Sequence, residues 1–217
     1  EPLAALDLKL RQSMLLELDL IHDEVGITFL YVTHDQTEAM SVSDRIAVMN
    51  RGRIEQVGTP AEMYEAPRSS FVAAFIGDTN FFDGRVAANV STAYVEVEIQ
   101  GLPPVLCFND KQKSAGEFVH LIVRPEKFRI SREPPGADSR QNGVEGTVED
   151  VVYCGNHTKY GVRCGPHRIS VYEQHSRFLL DQKPATWNDR VWLQWHPDDG
   201  YMLDRVTETA PAGGAAE

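Results

Sequence analysis

The stretch ITFLYVTHDQTEAM, residues 27–40, sets the grammar of the first third of the chain. Ile27 to Val32 form a continuous β-branched and aromatic run, the kind found in strands buried on both faces of a parallel sheet. Thr33, His34 and Asp35 close that run, and Gln36 to Ser43 then read as a short helix. Upstream, Leu8, Leu15, Leu16, Leu18 and Ile21 fall on or near one face of a helix expected from about Asp7 to Glu24, with charges between them and Gly26 as its stop. A helix followed by a fully buried strand is α/β grammar.

Downstream, RIAVMNRGRIEQVG (45–58) reads as two strands turning at Asn50-Arg51-Gly52, a hairpin signal. TPAEMYEAP (59–67) offers Thr59 as N-cap, Pro60 at the first helical position and Glu62 to complete a capping box. SSFVAAFIG (69–77) reads as a second short helix with Gly77 as its C-cap. Near residues 78–83 the pattern changes to short alternating strands: YVEVEI, VHLIVR, FRIS, VEGTVEDVVY, TKYGVR, RISVY, RVWLQW and YMLDRV. Turn residues separate them, which points to a small all-β barrel or sandwich. SREPPGADSRQN (131–142) reads as a mobile loop and ETAPAGGAAE (208–217) as a disordered tail. VRPEKFRIS and WHPDDGYML share a proline and an acid before a strand, but no longer repeat is legible.

Composition narrows the function classes. With 217 residues and 42% hydrophobic content the chain can fill real cores. No apolar run approaches the roughly 20 residues of a membrane-spanning helix, so a membrane role would come through a partner. Cys107, Cys154 and Cys164 are an odd count without CxxC spacing, as in a reduced protein with neither disulfide nor zinc site. The net charge of −11 is spread along the chain, and no basic face suited to nucleic acid stands out.

Three side chains could carry chemistry. Glu1 and Asp7 stand at the start of the first helix, and His34 stands just past the expected strand. In open α/β sheets ligands bind beyond the carboxyl ends of strands, so a strand-end histidine with carboxylates one crossover away suits phosphate chemistry. A carboxylate can take a proton from attacking water, and an imidazole can hydrogen-bond a terminal phosphate. Singly, each has a plainer reading: Glu1 as a solvated acid, His34 as part of a turn cap with Thr33 and Asp35. Trp187, Trp192, Trp195, His157 and His196 read as barrel packing and turn residues.

Taken together, these words resemble the ATP-binding-cassette ATPases. EPLAALD resembles the end of their Walker B segment and the D-loop, and YVTHDQTEAM resembles the H-loop. SDRIAVMNRGRIEQVGTPAEMYEAPRSSFVAAFIG resembles the segment that follows it in importer ATPases. FIGDTNFFDGRV, VRPEKFRIS, GTVEDVVYCGNHTKYGV and WHPDDGYML resemble their accessory β-barrel of the oligonucleotide-binding (TOBE) type, with wording closest to the spermidine/putrescine branch.

The resemblance implies an α/β remnant of a nucleotide-binding domain at 1–78, a regulatory OB-like β-barrel at 79–208 and a tail at 209–217. It implies that Glu1 polarises the attacking water, that Asp7 acts across a dimer interface, and that His34 contacts the γ-phosphate. It further implies a homodimer of ATPase subunits on integral-membrane permeases at the cytoplasmic face, using ATP and Mg2+, with no nucleic-acid partner. The phosphate-loop pattern G-x-x-x-x-G-K-S/T does not occur, nor do the Q-loop, the LSGGQ signature or the magnesium-associated aspartate before Glu1. The 217 residues are therefore expected to read as the back half of a larger machine, needing no cofactor of their own and hydrolysing no ATP. The strand ITFLYV, short of neighbours, is expected to drive self-association. Two alternatives stay open: a free-standing β-barrel that senses a small solute, or an ATPase subunit of a sugar, iron or sulfate importer.

Overall fold

Asp7 starts the first helix by accepting the Leu10 N–H at 3.0 Å. The computed structural model describes residues 6–136, 140–176 and 183–204. Helix α1 spans Leu8–Val25 and stops at Gly26, whose φ of 67° is left-handed. Leu15 is buried, whereas Leu16 and Leu20 stand exposed.

The strand expected at 27–32 is not formed. These residues run without regular structure into the His34 turn, and Leu30 is 92% exposed. A strand is a paired object, and no segment among the described residues runs beside this one. Its apolar composition favours burial, but no segment among the described residues covers it.

Helix α2 (Gln36–Val42) leads into strands β1 (Ile46–Asn50) and β2 (Arg53–Gly58), an antiparallel hairpin. Arg51 and Gly52 both have positive φ, 48° and 76°, which matches the twist of a two-residue hairpin turn. Helix α3 (Pro60–Glu65) carries the full capping box: Glu62 accepts the Thr59 N–H at 2.8 Å and Thr59 accepts the Glu62 N–H at 3.3 Å. Helix α4 (Ser70–Phe75) ends at Ile76, one residue before the expected cap; Gly77 follows with a φ of 92°. Ile46, Val48, Met63, Val72 and Ile76 close a small core between the hairpin and these two helices.

Beyond Asp78 the described residues form, besides two 3-10 turns, only β-strands: β3 (Asn80–Asn89), β4 (Tyr94–Ile99), β5 (Val105–Phe108), β6 (Phe118–Val123), β7 (Arg129–Ser131), β8 (Asn142–Tyr153), β9 (His157–Cys164), β10 (His167–Gln174), β11 (Arg190–Trp195) and β12 (Gly200–Met202). Strands β3 and β5 were not anticipated, and of the described residues of YMLDRV, 201–204, only Tyr201 and Met202 are strand. Two five-stranded sheets form, in the orders β10-β9-β8-β11-β7 and β12-β6-β3-β4-β5. They share one core that includes Val97, Leu121, Val144, Val162, Ile169 and Leu193. Trp195 joins it, packed on Phe128 at 5.1 Å, whereas Trp187 is exposed.

A longer repeat is present after all. Strands β3 to β7 and β8 to β12 trace the same path, each with a bulge between its first two strands and a 3-10 turn, Pro125–Lys127 or Pro197–Asp199, before its last. The last short strands are exchanged: β7 pairs with β11 of the second copy, and β12 with β6 of the first. Gly84 and Gly146 sit four residues into the two opening strands. A Cβ on Gly146 would lie 2.5 Å from Cys164 Sγ, and one on Gly84 2.6 Å from the Glu98 carbonyl oxygen. Both opening strands therefore press against their neighbours where a side chain has no room.

Arg124 joins the β domain to the helices before it. Its side chain, in a residue only 3% exposed, donates to the carbonyl oxygens of Tyr64 (2.8 Å), Ala73 (2.9 Å) and Asp78 (3.2 Å) and lies over the Tyr64 ring. These are carbonyls at and beyond the ends of α3 and α4, which lack helical partners of their own. The Tyr64 hydroxyl completes the clasp by donating to Glu126 at 2.7 Å.

Candidate functional site

His34 lies exposed on a turn fixed from behind. Asp35 caps α2 by accepting the N–H groups of Thr37 (2.8 Å) and Glu38 (3.1 Å), and Thr33 Oγ1 accepts the Asp35 N–H at 2.9 Å. Under the turn sits Glu38, a buried carboxylate. It accepts from the Tyr31 and Thr33 hydroxyls, each at 2.8 Å, and faces an Arg11 guanidinium nitrogen at 3.5 Å. Desolvation, then the bond to Glu38, pushes the Tyr31 phenol up to about 12. A buried charge needs such partners to be tolerated.

Of the expected site residues, Glu1 lies outside the described residues. Asp7 is exposed and holds the start of α1. The connection between its turn and that of His34 runs through Arg11, which donates to the Leu6 carbonyl at 3.0 Å and reaches Asp35 at 3.7 Å. Sequence reading passed over Arg11 and Glu38. The available signal was a carboxylate four residues past His34, on a short helix whose other residues are mostly small or apolar. The arrangement presents one imidazole at a defined place. The Thr37 and Glu38 N–H groups at the start of α2 are already taken by Asp35.

The β domain has a second feature, a cleft of about 550 Å3 lined by Val90, Tyr94, Leu106, Arg140, His196 and Pro197. Tyr94 donates to Asp198 at 2.8 Å, and His196 Nδ1 accepts the Asp198 N–H at 3.3 Å. His196 is the counterpart of Arg124 in the repeat, each standing just before a 3-10 turn, so this cleft lies at the position equivalent to the one where Arg124 clasps α3 and α4. Among the described residues no group of three or more His, Cys, Asp or Glu is placed to hold a metal, and no helix is long and apolar enough to cross a membrane.

Against known proteins, the chain is 62% identical over 205 residues to a spermidine/putrescine import ATP-binding protein, PotA, of Protochlamydia amoebophila. The alignment covers 94% of this chain and 55% of that one. Over nearly its whole length the chain is similar to spermidine/putrescine import ATP-binding proteins. A second PotA relative, from Thermotoga maritima, is 47% identical over 96% of this chain and 56% of its own length. The chain thus spans about half the length of the curated relatives it matches. The TOBE domain family matches residues 121–203, which run from within β6 to just past β12. The TOBE match therefore covers the second copy of the repeat and only the end of the first. A solved structure of the cytoplasmic molybdate-binding protein ModG, with molybdate bound, aligns at a TM-score of 0.48 and 16% identity, over 57% of this chain and 94% of that one.

Proposed function

We propose that this chain is part of the ATP-hydrolysing subunit of an ABC importer, and that the transported solutes are polyamines of the spermidine/putrescine class. The 62% identity over 94% of the chain to a protein named for spermidine/putrescine import carries the proposal. In this reading residues 1–78 belong to the nucleotide-binding domain, an α/β unit completed by sequence that this chain does not contain, and 79–208 form its regulatory β domain. Glu1 polarises the attacking water, Asp7 acts across the interface with a second copy, and His34 hydrogen-bonds the γ-phosphate. The fixed turn around His34 supports that role, because phosphoryl transfer depends on positioning and charge stabilisation. The subunit works as a pair on membrane permeases, at the cytoplasmic face.

The 217 residues by themselves neither bind nor hydrolyse ATP, because one imidazole and a carboxylate cannot replace a phosphate loop and its lysine. They self-associate through the uncovered faces of α1 and residues 27–32, where Leu16, Leu20, Leu30 and Val32 are exposed.

Titration calorimetry of the chain with Mg-ATP tests the first claim; micromolar binding overturns it. Light scattering at tens of micromolar tests the second, and a clean monomer overturns it. In a longer protein that contains this chain and hydrolyses ATP, His34→Ala lowers kcat by roughly 100-fold or more. An unchanged kcat removes His34 from the mechanism.

A further inference from the structure

We infer that Glu38 is the positioning residue for His34 and that, through Arg11, it couples the His34 turn to the Leu6–Asp7 turn at the start of α1. The coupling rests on the proposed function only for its meaning in catalysis; the contacts themselves are independent of it. Four groups converge on this point. The Glu38 carboxylate takes hydrogen bonds from Tyr31 and Thr33, the residues leading into the turn, and Glu38 itself belongs to the helix leading out of it. Both flanks of His34 are thereby tied to one buried group. Arg11 faces the same carboxylate at 3.5 Å and Asp35 at 3.7 Å, and its other terminal nitrogen donates to the Leu6 carbonyl at 3.0 Å.

The guanidinium is a rigid fork whose nitrogens keep a fixed spacing. If the Leu6–Asp7 turn shifts, Arg11 must move with it or release Leu6, and its pairing with Glu38 and Asp35 changes at the same moment. Glu38 cannot lose Arg11 without leaving a buried carboxylate short of its countercharge. The two turns are therefore held in one register. In the proposed ATPase, where Asp7 meets a second copy and His34 meets the γ-phosphate, formation of the interface is reported directly to the phosphate contact.

Amide hydrogen exchange on the 217-residue chain tests this without nucleotide. Glu38→Gln keeps an oxygen for the Tyr31 and Thr33 hydroxyls but removes the charge facing Arg11. Glu38→Ala removes both. In the Gln variant the Leu10 and Arg11 amides are expected to exchange about tenfold faster, while Asp35, Thr37 and Glu38 change by less than about threefold. In the Ala variant both sets are expected to accelerate about tenfold. Val162 and Leu193, in the β core, serve as internal standards against general unfolding. Unchanged Leu10 and Arg11 exchange in the Gln variant overturns the coupling, and unchanged Asp35 exchange in the Ala variant overturns the positioning. A kcat for Glu38→Gln that falls with an unchanged KM for Mg-ATP, measured in a longer active protein, carries the effect into catalysis. If His34→Ala leaves that kcat intact while the exchange results hold, the proposed function fails and the coupling stands.

Discussion

Asn80 and Asn142 make the same pair of bonds at equivalent places in the two halves of the β domain. Asn80 accepts the Ser170 N–H at 2.7 Å and donates to its carbonyl at 2.9 Å; Asn142 accepts the Leu106 N–H at 2.7 Å and donates to its carbonyl at 2.9 Å. Each opens a strand, and each uses a side-chain amide to imitate the backbone of a further strand beside β10 or β5, the sheet edges. Asn80→Ala and Asn142→Ala should each lower stability by about 1–3 kcal/mol, since each leaves partly buried backbone groups of Ser170 or Leu106 unpaired. The two losses should add, because the sites share no partner. Urea unfolding of the two single variants and the double variant measures both statements.

Gly146→Ala should destabilise by about 1–3 kcal/mol, because its Cβ meets Cys164 Sγ at 2.5 Å and the Arg163 carbonyl oxygen at 2.8 Å. Gly84→Ala faces the Glu98 carbonyl and Val97 in the same way and should behave alike. Gly116→Ala, where nothing lies within 4 Å of the added carbon, loses only through its positive φ and should cost less. Thermal unfolding ranks the three.

Arg124→Met should keep the stem and remove the donors, leaving the carbonyls of Tyr64, Ala73 and Asp78 without them. The expected result is a folded β domain with loosened α3 and α4. Limited proteolysis should then cut within residues 59–78 at least tenfold faster, while β-core amides keep their protection. Equal acceleration in both regions would mean that Arg124 holds the whole protein rather than one seam.

The cysteines give a pH dependence with a definite sign. Burial pushes the Cys107 and Cys164 thiols up to about 12 from an ordinary value of 9.0. Below pH 9 both states hold these protons and stability is unaffected. Above it the unfolded chain releases protons that the folded one keeps, so stability falls as pH rises toward 12. Each thiol lowers it by about 1.4 kcal/mol per pH unit in that window. The Cys107→Ala/Cys164→Ala variant should show a shallower alkaline decline in denaturant midpoint. At pH 8 a thiol reagent should label the exposed Cys154 at once and the other two only on unfolding.

What the sequence disclosed followed from local chemistry. Thr59, Pro60 and Glu62 set a helix start that needs no distant partner, and Arg51-Gly52 set a hairpin turn by backbone preference. Residues 27–32 went the other way, since a strand depends on neighbours that its own letters do not supply. His34 was legible as the end of an apolar run, but Glu38 was not, because its burial arises from Arg11 more than twenty residues earlier. The repeat was hidden for a similar reason. Its two copies agree at Asn80 and Asn142, Gly84 and Gly146, and Val86 and Val148, while hairpins of unequal length shift every later match. Arg124, a charge inside an apolar run, looked like a strand end and is the clasp of the structure.

The exchange of β7 and β12 has a consequence for how the protein is made. The sheet begun by β3 has its last strand at residues 200–202, so a ribosome must deliver almost the whole β domain before the earliest of these strands can finish its sheet. Until then the nascent chain carries an open edge beside β6, a site at which other chains can pair. Slow translation between β6 and β12 would lengthen that exposure, and a chaperone acting on the emerging chain would have its task defined by one three-residue strand.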